Sequence, residues 1–367
     1  MVNHNPEKRP VILIVIGSLG AGGKERQLIG LLKSLQLQKK YHTVLAVMNP
    51  DGLREKEASE FADELINISW KPGIGILSSI SALIRIVKQS SVKMIHSWGS
   101  GSWDMVSLIV AKWCRIPFLH NGIRSAPGRL KGSDQLTRIS AIFADRIVAN
   151  SNAGLKAHKL DKHPEAKVIY NGMDTERFTP YRSITEDNNL CMVANFRVEK
   201  DHQTMIMALD CIRKSIPSVM LYLVGHDFDT LSAIQSMVNN LNLQDNVTFI
   251  TDTLHPEPYI AKSKVGILAT HGEGISNVLL EYMGLCKPVI VSDNSGNPEV
   301  VENGVNGYLV SPGSAEELCE SVVELCMHPA LLEKMGMAGR RILEEKFSIP
   351  KMLNAYDETY TELINQK

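Results

Sequence analysis

The sequence alternates between short apolar runs and longer amphipathic segments, and this alternation restricts the chain to few folds. In the first half, short runs that are mostly β-branched and end before Gly, Ser, Asn or Pro predict buried strands at residues 11–16, 43–48, 92–96, 116–120, 146–150 and 167–170. Apolar residues at helical spacing predict the intervening helices at residues 25–37, 77–89, 103–114 and 134–143. Such βαβ repetition predicts a parallel sheet with helices on both faces.

The pattern stops near residue 171 and restarts at residue 190, which predicts a second domain. Its strands are predicted at residues 190–195, 220–224, 247–250, 265–269 and 288–292. Its helices are predicted at residues 201–215, 230–241, 277–285, 315–327 and 329–346. We therefore predict two doubly wound, Rossmann-like α/β domains, 1–180 and 181–348, with a cleft between them. A final helix within 349–367 is expected to pack back on the first domain.

Composition excludes several other classes of protein. Of the 367 residues, 44% are hydrophobic and 22% are charged, as in ordinary globular proteins and unlike disordered or collagenous chains. The apolar runs are too short to span a membrane, and we predict no signal peptide. The six cysteines form no Cys-x-x-Cys pair and no Cys/His cluster, so we expect neither a zinc site nor a disulfide framework, and a reduced, cytoplasmic protein.

The net charge of −1 hides a division between the two halves of the chain. Residues 1–180 hold 25 Lys and Arg against 15 Asp and Glu, whereas residues 181–367 hold 14 against 25. In the basic half, the segment from Arg124 to Lys131 combines the cations Arg124, Arg129 and Lys131 with the apolar Leu130 and with two flexible points at Pro127 and Gly128. This segment suits an anionic acceptor or an anionic membrane surface, and the alternative is an ordinary solvated loop.

Three loops that follow predicted strands carry the residues suited to chemistry, because ligands of open α/β sheets lie at the carboxyl ends of the strands. The first is the glycine-rich loop that includes Gly22 and Gly23, which can contact a phosphate or a sugar or can be a tight turn. It matches neither the dinucleotide fingerprint Gly-x-Gly-x-x-Gly nor a P-loop, and the missing fingerprint argues against a dehydrogenase.

The second loop has two carboxylates, Glu273 and Glu281, separated by seven residues. Glu273 is expected on the loop and Glu281 in the helix that follows, with Ser276 or Asn277 as the helix cap. Backbone amides from Gly274 onward can hold a phosphate while the carboxylates accept hydrogen bonds from sugar hydroxyls. The alternative is a pair of unrelated surface glutamates.

The third loop, residues 193–201, contains Arg197 and Lys200, which could neutralise a diphosphate or simply form a solvated cluster of charges.

Together these motifs resemble the retaining glycosyltransferases of the two-Rossmann GT-B architecture, and more narrowly family 4, also called glycosyl transferases group 1. The resemblance extends over nearly the whole chain. The motifs that carry it are Glu273-x7-Glu281, Lys287-Pro-Val-Ile290, Gly296-Asn-Pro-Glu299 with Asn306-Gly-Tyr-Leu-Val310, the junction from Val168 to Pro180, and Leu223-Val-Gly225.

The resemblance implies roles for individual residues. It implies that Glu273 contacts the donor sugar, that Lys200 neutralises the leaving diphosphate without a metal or other cofactor, and that Glu281 binds the ribose. The arginine of the family is transferred to Arg197, because Asn195 stands at its usual position. The remaining donor contacts implied are Gly22, Gly23, Asn195, Gly274, Ile275, Ser276, Asn277, Val278 and, near the nucleotide base, Asp252 to Leu254.

On the first domain, His96, His120 and Arg124 follow strands and are candidates for contact with the sugar or the acceptor. The resemblance implies transfer of a hexose or N-acetylhexosamine, from a UDP-sugar rather than a GDP-sugar, to a glycan or lipid-linked acceptor in cell-surface polysaccharide biosynthesis. The enzyme would be peripheral at the inner face of the membrane, with no nucleic-acid partner. The alternatives are a nucleotide-sugar 2-epimerase of similar fold and a non-catalytic nucleotide-sugar-binding protein.

Overall fold

The computed structural model describes residues 9–20, 22–50, 52–68, 75–181, 188–251 and 253–366. The chain divides into two compact units: unit 1 comprises Met1–Gly172 and Ile349–Lys367, and unit 2 comprises Met173–Ser348. Unit 1 ends eight residues before the boundary expected from the sequence. Met173 already pairs with the end of unit 2, where its amide donates to the carbonyl of Phe347 at 2.7 Å.

Unit 1 contains a seven-stranded parallel sheet in the order β3-β2-β1-β4-β5-β6-β7. The strands are β1 (Val11–Ser18), β2 (His42–Asn49), β3 (Glu64–Asn67), β4 (Met94–Trp98), β5 (Phe118–Ile123), β6 (Arg146–Ala149) and β7 (Ala166–Val168). The strand order changes direction between β1 and β4, as in a doubly wound fold.

Helices cover both faces of this sheet, so each face has its own hydrophobic core. The helices are α1 (Gly23–Gln38), α2 (Glu55–Phe61), α3 (Gly75–Gln89), α4 (Ser102–Cys114), α5 (Ser133–Ile142), α6 (Asn152–Ala157) and α13 (Ile349–Asn365). One core joins the sheet to α3, α4, α5 and α6. The other joins it to α1, α2 and α13, in which Tyr356 and Tyr360 are fully buried.

Unit 2 contains a six-stranded parallel sheet in the order β10-β9-β8-β11-β12-β13. The strands are β8 (Asn189–Val193), β9 (Met220–Val224), β10 (Val247–Ile250), β11 (Val265–Leu268), β12 (Val289–Ser292) and β13 (Gly307–Val310). The helices are α7 (His202–Ser215), α8 (Leu231–Asn240), α9 (Glu257–Lys262), α10 (Asn277–Gly284), α11 (Ala315–Met327) and α12 (Pro329–Lys346). The predicted architecture of two parallel α/β sheets is confirmed.

The cysteines differ from the prediction, because Cys211 and Cys319 form a disulfide. The two residues are 108 positions apart in the sequence, but α7 and α11 lie side by side and bring their Cα atoms to 6.1 Å. The prediction of no disulfide is therefore wrong for this pair. Among the described residues, no helix combines the length and the apolar character needed to cross a membrane.

Candidate functional site

The loops that follow β8 and β11 in unit 2 bring Lys200 and Glu273 together. Lys200 lies in a short 3-10 turn, Val198–Lys200. The carbonyl of Glu199 in that turn accepts hydrogen bonds from the His271 amide at 2.9 Å and from the Thr270 hydroxyl at 3.0 Å. These bonds fix the turn to the end of β11, and the Lys200 ammonium forms an ion pair with the Glu273 carboxylate.

This ion pair remains partly open to solvent, with 22% of the Lys200 side chain and 20% of the Glu273 side chain exposed. Burial lowers the pKa of Lys200 to about 8, Glu199 opposes that change, and the charge of Arg197 adds to it. Near pH 7 the lysine is therefore charged but weakly solvated. Such a cation interacts more strongly with an incoming anion than a fully hydrated one does.

The loop from Glu273 leads directly into α10, whose N-cap is Ser276. The Ser276 hydroxyl makes no capping hydrogen bond, within the described part of the chain, to the first turn of that helix. The positive end of the helix dipole therefore lies three residues after Glu273 and close to Lys200, where both favour an anion. Gly274, Ile275, Ser276 and Val278 are buried, and Asn277 is partly exposed.

Gly296 supports this loop from the next strand end. Its amide donates to the carbonyl of Glu273 at 3.1 Å, and a Cβ at this position would overlap the carbonyl oxygen of Gly274. Gly225 makes a similar close approach to the carbonyl of Ala194, next to Asn195. The Asn195 side chain accepts a hydrogen bond from the His226 amide at 3.1 Å. Both glycines occur where two backbone segments need close contact.

Glu281 is buried in α10, and Arg177 compensates its charge. Arg177 forms one ion pair with Glu257, and its Nη2 lies 3.5 Å from Oε1 of Glu281. The neighbouring Phe178 packs against Gly284, about one turn further along α10. Arg177 and Glu257 were not predicted from the sequence, since no local pattern connects residues so far apart along the chain.

Arg197 has a different environment from the one expected of a diphosphate ligand. Its guanidinium stacks on the ring of Phe228, 3.8 Å from the ring centroid. Leu254 is partly exposed after β10, and Asp252 lies outside the described residues. The structure therefore brings Lys200, Glu273 and the start of α10 together, and it orients Arg197 toward an exposed aromatic ring.

The glycine-rich loop of unit 1 forms the N-terminus of α1. Gly22 is the N-cap and has no side chain with which to cap the helix. Glu25 lies in the first turn, with its carboxylate close to Gly22, where it interacts favourably with the helix dipole. Gly23 begins the helix itself.

His96 is fully buried in an aromatic cluster of unit 1. Its Nδ1 contacts the Tyr360 hydroxyl at 2.8 Å, and its Nε2 contacts the Asn121 amide at 3.1 Å. Burial lowers the pKa of His96 well below its usual value, and the charges of Arg124 and His120 act in the same direction. The ring is therefore neutral at pH 7 and does not reach a surface in this structure.

Arg124 and His120 are also held by neighbouring groups of unit 1. The Arg124 guanidinium stacks on Trp98 at 4.1 Å and donates to the side chain of Asn171 at 3.0 Å. His120 lies 3.4 Å from the buried carboxylate of Asp104, and both side chains are fully buried. Of the three predicted contact residues, Arg124 alone keeps a partly exposed side chain.

Two family models match the chain, one for each half. The model described as glycosyltransferase family 4 matches residues 21–177, and the model described as glycosyl transferases group 1 matches residues 174–342. The second match includes Lys200, Glu273, Glu281 and Gly296. The two matches adjoin near the boundary between the two units of the structure.

Individual relatives agree with these models. The chain is 27% identical over 249 residues to N-acetyl-alpha-D-glucosaminyl L-malate synthase of Bacillus anthracis. The aligned region covers 64% of this chain and 65% of that protein. The chain thus spans slightly less than two thirds of that relative's length. It is 23% identical over 361 residues to the capsular polysaccharide biosynthesis glycosyltransferase CapM of Staphylococcus aureus. That alignment covers 90% of this chain and 93% of CapM.

Among solved structures, the crystal structure of Anabaena Alr3699/HepE in complex with UDP superimposes with a TM-score of 0.83. The match has 20% identity and covers 96% of this chain and 100% of that chain. The predicted GT-B fold is confirmed. Together the two models and the relatives support a GT4-like glycosyltransferase, with one glycosyltransferase model matching each half of the chain.

Proposed function

We propose that this protein transfers a hexose or N-acetylhexosamine from a nucleotide sugar to a glycan or lipid-linked acceptor, with retention of the anomeric configuration. The reaction would serve cell-surface polysaccharide assembly at the inner face of the membrane. Unit 2 would bind the donor, with UDP favoured over GDP as its nucleotide, and unit 1 would bind the acceptor.

The observation that carries this proposal is the ion pair of Lys200 with Glu273 beside the N-terminus of α10. A negatively charged diphosphate can interact with the Lys200 ammonium and accept hydrogen bonds from the first amides of the helix. The sugar attached to it has hydroxyls that can donate hydrogen bonds to the Glu273 carboxylate. One compact arrangement thus matches both halves of a nucleotide-sugar donor.

The proposed reaction needs no covalent intermediate with the protein. The acceptor oxygen forms a bond to the anomeric carbon on the face from which the diphosphate departs, and the bond between that carbon and the phosphate oxygen breaks. The acceptor proton moves to the leaving phosphate. Lys200 and the amides of α10 stabilise the charge that develops on the diphosphate, a kind of stabilisation often worth several kcal/mol in enzymes.

Names of related proteins support the choice of substrates. Alr3699/HepE has been crystallised with UDP, with UDP and glucose, and with UDP-glucose. The Bacillus anthracis relative is named for an N-acetylglucosaminyl product, and CapM is named for capsular polysaccharide biosynthesis. Between them, these names include a UDP-linked hexose, an N-acetylglucosaminyl product and a polysaccharide, which are the classes of donor and product in the proposal.

We expect transfer to be independent of metal ions, because Lys200 and the helix amides supply the positive charge that a divalent cation would otherwise provide. Turnover measured with EDTA should equal turnover with added Mg²⁺ or Mn²⁺. A requirement for either ion would contradict metal independence. It would not affect the choice of donor, which the donor panel tests separately.

The decisive experiment is a panel of radiolabelled UDP- and GDP-sugars with glycan and lipid-linked acceptors. We expect labelled product from a UDP-hexose or UDP-N-acetylhexosamine, and NMR of the product should show the anomeric configuration of the donor. An inverted product would refute retention. Binding of the nucleotide sugar without transfer or hydrolysis across the panel would refute the enzymatic proposal.

A further inference from the structure

The outer faces of α4 and α5 in unit 1 are apolar although they contact solvent. We define the α4–α5 apolar patch by its six exposed side chains: Ile109, Trp113, Leu136, Ile139, Ile142 and Phe143. Trp113 is 73% exposed and Phe143 is 60% exposed. Exposed aromatic residues of this size are uncommon on a surface that remains in water.

The patch is separate from the residues that build the core. In α4, Ala111 belongs to the core, whereas Ile109 and Trp113, one turn apart from each other, are exposed on the other side of the helix. In α5, Ala141 faces the sheet, whereas the four apolar residues of the patch recur at helical spacing on the outer side. The two helices pack against each other, so their exposed apolar faces lie on the same side of unit 1.

The same layer of helices has a strong excess of positive charge. Residues 75–145, from the start of α3 to just beyond α5, contain nine Lys and Arg, three Asp and no Glu. One of the three, Asp104, is fully buried. We define the cationic border by its exposed members: Arg85, Lys88, Lys112, Arg115, Arg129 and Lys131.

Three observations place members of this border next to the patch. The Lys112 ammonium lies 3.0 Å from Asp145, two residues beyond Phe143. The charge of Lys88 opposes the rise that burial produces in the pKa of Cys114, which places this lysine near the end of α4. Arg129 and Lys131 directly precede α5. Cations are thus present at both ends of the apolar surface.

We propose that the α4–α5 apolar patch and its cationic border bind an anionic lipid surface. Trp and Phe side chains insert at the boundary between headgroups and acyl chains, and lysine and arginine next to them bind lipid phosphates. A symmetric dimer through the same patch is disfavoured, because it would face the cationic border of one copy with that of the other.

This inference deepens the proposed function, since a lipid-linked acceptor would lie at such a surface, but its test is independent of catalysis. The patch contains no residue of the Lys200 and Glu273 site. A wild-type protein that binds vesicles but transfers no sugar would refute the proposed function alone. A protein that transfers sugar to a soluble acceptor but binds no vesicles would refute the docking surface alone.

The test is co-sedimentation of the full chain with phosphatidylglycerol or phosphatidylcholine vesicles, at 50 mM and 500 mM salt. We expect binding to phosphatidylglycerol that weakens at high salt, and a loss of at least about tenfold in partitioning for the double variant Trp113→Ala/Phe143→Ala. The matched control, Leu37→Ala/Met327→Ala, removes two equally exposed apolar side chains outside the patch and should bind like the wild type.

Charge reversal provides an independent arm. Arg85→Glu/Lys88→Glu should reduce binding by about tenfold or more at low salt, because each cation near an anionic surface contributes about 1 kcal/mol, while Lys334→Glu/Lys351→Glu should have a smaller effect.

Trp113 emission should also shift to shorter wavelength on addition of vesicles. Thermal unfolding shows that each variant is folded. Equal binding by Trp113→Ala/Phe143→Ala, or a concentration-dependent dimer that this variant abolishes without any vesicle binding, would overturn the proposal.

Discussion

The polar candidate residues of the two units have opposite environments: those of unit 2 follow strands β8 and β11, whereas His96 and His120 of unit 1 lie within β4 and β5. In unit 2, Lys200 and Glu273 are charged, partly exposed and close to a helix N-terminus. In unit 1, His96 and His120 are fully buried among Tyr360, Asn121 and Asp104. Lys200 and Glu273 can contact a ligand directly. His96 and His120 instead stabilise the folded interior of unit 1.

Residue type and strand position are therefore not enough to assign a role. A lysine next to an open helix end retains the charge that a diphosphate needs, whereas a buried histidine loses its charge and becomes part of the core. The comparison predicts large catalytic effects from substitutions in unit 2 and mainly stability effects from the histidines of unit 1.

The largest expected effect is from Lys200→Ala or Glu273→Ala. Each should lower turnover by about 10²–10³-fold or more, because each removes a group proposed to stabilise the departing diphosphate or to hold the sugar. Steady-state assays with the active donor measure the loss. Glu273→Gln keeps the shape of the side chain and removes its charge, and should lose nearly as much activity.

Circular dichroism and thermal unfolding should show both Lys200→Ala and Glu273→Ala folded, since the two side chains are partly exposed. Wild-type rates in both variants would show that neither residue belongs to the site and would contradict the proposed difference between the two units.

A smaller loss is expected from Gly296→Ala. The added methyl group overlaps the carbonyl oxygen of Gly274 and must displace the loop that carries Glu273, so turnover should fall by about 10–100-fold. Gly128→Ala is the matched control, because nothing lies within 4 Å of the added atom. Full activity in Gly296→Ala would show that the position of this loop matters little.

The pH dependence of kcat/KM should report the low pKa of Lys200, about 8 in the free protein. Above that pH the lysine loses its proton and its charge, so kcat/KM should fall by up to about tenfold for each pH unit. The effect is a loss of activity at high pH, and Lys200→Arg should remove it, since arginine stays charged. An unchanged alkaline limb in Lys200→Arg would assign the titration to another group.

The smallest effect on turnover, below about threefold, is expected from His96→Phe. Its main effect should be on the free energy of unfolding, which should decrease by about 1–3 kcal/mol because Tyr360 loses the ring nitrogen it contacts. Chemical denaturation measures this change. A loss of turnover as large as that of Lys200→Ala would show that His96 acts in catalysis after all.

The same histidine should make the wild type sensitive to acid. Its pKa is lowered in the folded state, so below pH 6.5 the unfolded chain takes up the proton first and the free energy of unfolding decreases as the pH falls. His96→Phe lacks this titrating group, so its unfolding takes up one proton fewer. The free energy of unfolding should therefore decrease less steeply as the pH falls. The pH trend therefore separates the two units: Lys200 limits activity in alkali, and His96 limits stability in acid.

Much of the fold could be predicted from the sequence where periodic patterns were long. The bounds of β9, β10, α11 and α12 agree with the prediction to the residue. The elements absent from the prediction are short or polar: α2, α6 and α9 have six or seven residues, β3 contains Glu and Asn, and β13 begins with Gly. In such segments, packing by the rest of the unit outweighs local preference.

The candidate site was predictable only in part. The spacing of Glu273 and Glu281 and the position of Lys200 after a strand were visible in the sequence. The contact of Arg177 with Glu281, the stacking of Arg197 on Phe228 and the burial of His96 depend on residues far apart in the chain. Likewise, the exposed face of α4 and α5 can be recognised only when the buried face is known.

The return of α13 to unit 1 also has a consequence for synthesis on the ribosome. The 176 residues of unit 2, Met173–Ser348, must be made before α13 can cover α1 and the adjoining face of the first sheet. At a typical elongation rate this takes roughly 10–35 seconds. During that time the side chains that later surround Tyr356 and Tyr360 have no partner helix, so this face is where a nascent chain would be expected to recruit a chaperone.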